Sequence, residues 1–122
     1  MEDKKILLVD DEKDVLSVLS KQLTEKGYEV FTAENGDDAL QIASAKEPDI
    51  AILDLALPDM DGSEIAEKLK DNQKTKHIPV IFLTALRSKE EEHKGGVSIG
   101  GHTVLAKPYD LEEIVERIEI LA

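Results

Sequence analysis

Apolar residues along this chain fall into short segments of two alternating kinds. KILLVD (5–10) is a continuous apolar run with no polar alternation, as a strand buried on both faces would be. From Lys13 to Lys26 the apolar positions Val15, Leu16, Val18, Leu19 and Leu23 keep helical spacing, and Gly27 follows as a stop. YEVFTA (28–33) is again rich in β-formers. Asn35-Gly36 reads as a turn, and Asp37 to Lys46 as a helix through Ala39, Leu40, Ile42 and Ala43, broken at Pro48-Asp49. IAIL (50–53) is a third strand. Asp61 and Glu64 form a capping-box pattern ahead of Ile65, Ala66 and Leu69. PVIFLT (79–84) and HTVLAK (102–107) are the fourth and fifth strands. Asp110 to Ala122 closes the chain as an amphipathic helix, with Leu111, Ile114, Val115, Ile118 and Leu121 on one face.

Strands that alternate with helices predict a parallel sheet covered on both faces. No repeat or linker divides the chain, so residues 1–122 are expected to form one domain. One region breaks the pattern: SKEEEHKGGVSIGG (88–101) is polar, with four glycines in its last seven residues, and a helix there would be short and poorly anchored.

Composition narrows the setting. There is no cysteine, hence no disulfide framework and no thiolate metal site. No apolar stretch approaches the roughly 18 residues of a membrane helix, and the first apolar run is too short for a signal peptide. A cytoplasmic protein without membrane contact is expected. The formal net charge of -12, from 15 basic and 27 acidic residues, argues against direct nucleic-acid binding by this domain and favours cations or basic partners. His77, His93 and His102 match no ligand spacing.

Ligands of open parallel α/β sheets bind beyond the carboxyl ends of the strands. Asp10, Asp11 and Glu12 follow the first strand, Asp54 the third, Thr84 ends the fourth and Lys107 the fifth. Read one at a time, Asp10 or Asp11 could cap a helix, Asp54 could sit in a turn, Thr84 could be a strand-end threonine and Lys107 a solvated lysine. Read together, Asp10, Asp11 and Asp54 are three like charges at close range, which a hard divalent cation such as Mg2+ would relieve. An incoming phosphoryl group would meet Lys107 as a point charge and Thr84 as a hydroxyl donor. A carboxylate held there can attack phosphorus in line and become an aspartyl phosphate.

VDDE (9–12), LDLALPDMDG (53–62), LTA (83–85) and AKPY (106–109), in order and spread along the whole chain, resemble the receiver domain of two-component response regulators. The resemblance implies a single-domain flavodoxin-like (βα)5 three-layer sandwich, with a five-stranded parallel sheet in the order 2-1-3-4-5. It implies Asp54 as phosphoacceptor, Thr84 and Lys107 as the groups that meet the phosphoryl group, and Mg2+ (or Mn2+) held by Asp10, Asp11, Asp54 and the backbone carbonyl of Ala56. It also implies a cis Lys107–Pro108 bond. The implied partners are a histidine kinase or phosphotransfer protein on one side and an output domain or downstream protein on the other. Homodimerisation on phosphorylation, through the last helix, stays open.

Such a domain is no enzyme in the ordinary sense; it catalyses only its own phosphorylation and dephosphorylation. A phosphohydrolase of the haloacid-dehalogenase kind would want a second aspartate two residues after the nucleophile, and Ala56 stands there. The remaining alternative is a pseudo-receiver, an interaction module that never takes phosphate. Three positions stand out against the family pattern. Val104 replaces the usual aromatic three residues before the lysine, so signalling is expected to use repacking around Val104 or rearrangement of the glycine-rich 95–101 segment. Ala56 and Leu86 are apolar where polar residues could orient an attacking water, so slow self-dephosphorylation is expected.

Overall fold

The computed structural model describes residues 4–54, 62–84, 97–99, 102–106 and 111–122. Its elements are β1 (Lys5–Val9), α1 (Lys13–Glu25), β2 (Glu29–Ala33), α2 (Gly36–Lys46), β3 (Ile50–Asp54), α3 (Gly62–Lys70), β4 (Val80–Thr84), β5 (Val97–Ile99), β6 (His102–Ala106) and α4 (Leu111–Leu121). The sheet runs β2-β1-β3-β4-β6-β5. The first five strands in that row pair in parallel, in the order expected of a flavodoxin-like fold.

Among the described residues a sixth, antiparallel strand adds to the five expected parallel ones. β5 pairs antiparallel with β6 through Val97↔Val104, Ser98↔Thr103 and Ile99↔His102. The apolar-polar-apolar triplet Val97-Ser98-Ile99 has strand periodicity, and only Gly100-Gly101 separates it in sequence from His102. Gly-Gly between two such runs is a hairpin signal. The strand bearing Val104 therefore has a neighbour on each side, Phe82 of β4 and Val97 of β5.

The continuous apolar runs reflect burial on both faces. Leu7, Val9, Ala51, Leu53, Val80 and Phe82 pack with Ala39 and Ala43 of α2 and with Ile65, Ala66 and Leu69 of α3. The alternate residues Ile6, Leu8, Ile50, Ile52, Ile81 and Leu83 pack with Leu16, Leu19 and Leu23 of α1 and with Ile114 and Ile118 of α4. Two cores back to back make the three layers. No helix among the described residues is long and apolar enough to cross a membrane.

Helix ends are set by local chemistry. Asn35, read from sequence as part of a turn, is the N-cap of α2: its side chain accepts the Asp38 N–H at 2.9 Å. Thr75, almost wholly buried beyond α3, donates its hydroxyl to the Leu69 carbonyl at 2.6 Å. α1 ends in a Schellman motif, with the Tyr28 N–H on the Leu23 carbonyl and the Gly27 N–H on the Thr24 carbonyl. Gly27 takes φ +100°, and a Cβ built there would meet nothing within 4 Å. Gly27→Ala thus meets a backbone penalty and no clash. It should lower stability by about 1 kcal/mol, read as a shifted urea midpoint with an unchanged slope.

Candidate functional site

Strand register brings the predicted residues to one edge of the sheet. Val9 of β1 pairs with Leu53 of β3, so Asp10 and Asp54 are the next residues on two neighbouring parallel strands. Asp54 pairs with Leu83, which puts Thr84 one step further along β4. Thr84 in turn pairs with Ala106 of β6, the residue before Lys107. Neighbouring strands lie roughly 4.8 Å apart, so these positions form one row at the carboxyl ends. Lys107, Ala56, Leu86 and the Lys107–Pro108 bond lie outside the described residues.

The acidic end of the row is detailed. Asp10 is 1% exposed and Asp54 is 5% exposed, whereas Asp11 and Glu12 face solvent. The Asp10 N–H donates to the Ala33 carbonyl at 3.2 Å, which ties the end of β1 to the end of β2. Asp10 Oδ1 accepts the Glu12 N–H at 2.9 Å. Asp10 is therefore bonded to the residue just before α1 and does not itself cap the helix. The positive N-terminal end of α1 begins at Lys13, beside these carboxylates, and favours negative charge there.

Carboxylate oxygens of Asp10, Asp11 and Glu12 all lie within 4.8 Å of one another. This group includes Glu12, which in the sequence is only a third consecutive acid after the strand, with no role that its position alone assigns. Asp54 is not a member of the group and stands beside it on the adjacent strand. The donors are oxygens only, closely spaced, with a buried carboxylate among them. Such a set fits a hard divalent cation that takes oxygen ligands and keeps part of its water, and its mutual repulsion is what that ion would relieve.

Comparison with known proteins agrees with the fold. The family described as response regulator receiver domain matches residues 6–119. The chain is 35% identical over 118 residues to the alkaline phosphatase synthesis transcriptional regulatory protein PhoP of Bacillus subtilis, a match covering 97% of this chain and 48% of that protein. It thus spans about half the length of that relative. The chemotaxis response regulator CheY4 of Vibrio cholerae superposes with a TM-score of 0.84 at 30% identity, over 99% of this chain and 100% of that one. The receiver domain of Francisella response regulator 1452 gives a TM-score of 0.82 at 28% identity, over 98% and 96%. Fold, order of motifs and family match lead to one conclusion: this chain belongs to the response regulator receiver domain family, the signalling domains of two-component systems.

Proposed function

We propose that this receiver domain takes a phosphoryl group from a histidine kinase or phosphotransfer protein onto Asp54. The observation that carries the reading is the row of strand ends in register: Asp10, Asp54, Thr84, and Ala106 just before Lys107. An Asp54 carboxylate oxygen attacks phosphorus as the bond from phosphorus to the donor imidazole nitrogen breaks. The imidazole leaves with the electron pair of that bond, and Asp54 becomes an acyl phosphate. Asp10, Asp11, Asp54 and the Ala56 carbonyl would hold Mg2+, with Mn2+ as a substitute. That ion supplies charge neutralisation for the carboxylates and the phosphoryl oxygens. Thr84 donates its hydroxyl to a phosphoryl oxygen, and Lys107 pairs with another. Thr84 and Lys107 also report the new group to the face that a partner or output domain reads.

The test is intact mass after exposure to acetyl phosphate with Mg2+. One added phosphoryl group is expected on the wild-type chain, none on Asp54→Ala and none without divalent metal. The adduct should decay slowly once donor is removed, because Ala56 and Leu86 carry no polar side chain to orient water. A folded wild-type chain that binds Mg2+ and a beryllofluoride mimic, but shows no adduct, has a short-lived phosphoryl group. One that binds neither is a pseudo-receiver.

A further inference from the structure

Asn35 and Gly36 join β2 to α2, and no step of phosphoryl transfer uses them. The chain has two asparagines, Asn35 and Asn72, and only Asn35 precedes a glycine. The backbone nitrogen of the residue after an asparagine can attack the side-chain Cγ and close a five-membered succinimide ring. A side chain on that next residue crowds the attack. Glycine has none, whereas Gln73 follows Asn72. Asn35 is half-buried and extended, at φ -151° and ψ 170°, and Gly36 is buried as the first residue of α2. Asn35 Oδ1 accepts the Asp38 N–H at 2.9 Å, and Asn35 Nδ2 donates to Asp38 Oδ2 at 3.2 Å. The first bond draws electron density from Cγ, the atom to be attacked. The two together fix the plane of the amide. Ring closure makes Cγ tetrahedral and turns both heteroatoms out of that plane, so both bonds must open first. The segment also adjoins the acidic edge of the sheet. Ala33, two residues before Asn35, accepts the Asp10 N–H on its carbonyl at 3.2 Å.

We propose that Asn35 is a site of spontaneous covalent modification, deamidation to aspartate and isoaspartate, gated by opening of the first turn of α2. The Gly36 nitrogen bonds to Asn35 Cγ and gives up its proton. The bond from Cγ to Nδ2 breaks, and Nδ2 leaves as ammonia with that proton. Water then opens the ring at either carbonyl. Attack at Cγ restores the ordinary backbone and leaves aspartate, which still caps α2. Attack at the backbone carbonyl leaves isoaspartate. The chain then runs through the former side chain, one methylene longer, and the acceptor for the Asp38 N–H is displaced.

The test holds the whole chain at mildly alkaline pH, native and unfolded in guanidinium chloride. The tryptic peptide Gly27–Lys46 is then followed by mass, and its isoaspartate is counted by enzymatic methylation. Both samples should show the mass gain of amide to acid in this peptide. The native chain should acquire it at least about tenfold more slowly, as two hydrogen bonds at a helix end must open first. Asp38→Ala removes one of those bonds and keeps the backbone donor, so its folded form should react about threefold faster than wild type. Asn35→Ser keeps a cap without an amide. It should melt with wild type and gain no mass in this peptide. Aged wild type rich in isoaspartate should melt below Asn35→Asp, which carries the other product. A native chain unchanged at Asn35 through about a hundred half-lives of the unfolded chain overturns the site, as does faster reaction at Asn72. Equal native and unfolded rates, or an Asp38→Ala rate at or below that of wild type, overturn the gating by α2.

Discussion

Phe82→Ala should lower the stability of the domain by about 3–5 kcal/mol, at the top of the range for truncating one core side chain. Phe82 heads the fully buried side chains by size, in the middle of β4. It packs in the core shared with α2 and α3. Its strand neighbours are Leu53 on one side and Val104 on the other. Replacement by alanine removes most of a ring from a layer closed on every side, and the surrounding sheet can collapse into the space only in part. A domain of this size has about 5–15 kcal/mol to lose, so the variant should melt about 10–20 °C lower. Phe82→Leu keeps more of the volume and should lose much less. Equal melting temperatures for wild type and Phe82→Ala would mean that β4 is not the central strand described.

The parts of this fold that were legible in the sequence were those where one physical requirement acts alone. Ile6 to Val9 and Ile50 to Leu53 are unbroken apolar runs because each strand is covered twice, and the structure divides their residues alternately between the two cores. Periodicity and the Gly27 stop outlined α1, where the φ of +100° leaves little choice of residue. Legibility failed where two requirements competed for the same residues. Val97-Ser98-Ile99 lies inside a polar, glycine-rich stretch, and three residues are too few for composition to reveal a strand; the pairing with β6 decides it. Asn35 satisfied the signature of a turn and of a helix cap alike, and the orphan Asp38 N–H settled which. At the site, Asp10 and Asp54 could be placed from strand ends alone, since parallel register carries them to the same edge. Glu12 could be placed at that edge but given no role, because an acid just before a helix reads as ordinary N-terminal charge until its oxygens are found beside those of Asp10 and Asp11.

Asp10→Asn should reverse its rank against wild type when Mg2+ is added. Without metal the variant should be the more stable of the two, by about 1–2 kcal/mol. The substitution removes a charge that is 1% exposed, with Asp11 and Glu12 oxygens within 4.8 Å and Asp54 next along the sheet. It keeps the shape, and the asparagine carbonyl oxygen can still accept the Glu12 N–H that Asp10 Oδ1 takes at 2.9 Å. The structural bond therefore survives while the repulsion falls. With metal the balance turns. A ligand that binds only the folded chain stabilises it by about 2.7 kcal/mol at a hundredfold excess over Kd. Wild type gains that increment, whereas the variant, with its affinity reduced about 100-fold, gains less than about 1 kcal/mol at the same concentration. Urea denaturation in chelator and in excess Mg2+ would show the two curves exchanging places. A variant less stable than wild type in chelator would mean that the Asp10 charge serves the fold itself. A variant with wild-type Mg2+ affinity would remove Asp10 from the metal site. Added monovalent salt should shrink the metal-free gain, because the exposed Asp11 and Glu12 carboxylates are screened first. The crossing of the two curves separates a carboxylate kept for metal from one kept for folding, since only the former makes the apo domain weaker than its neutral copy.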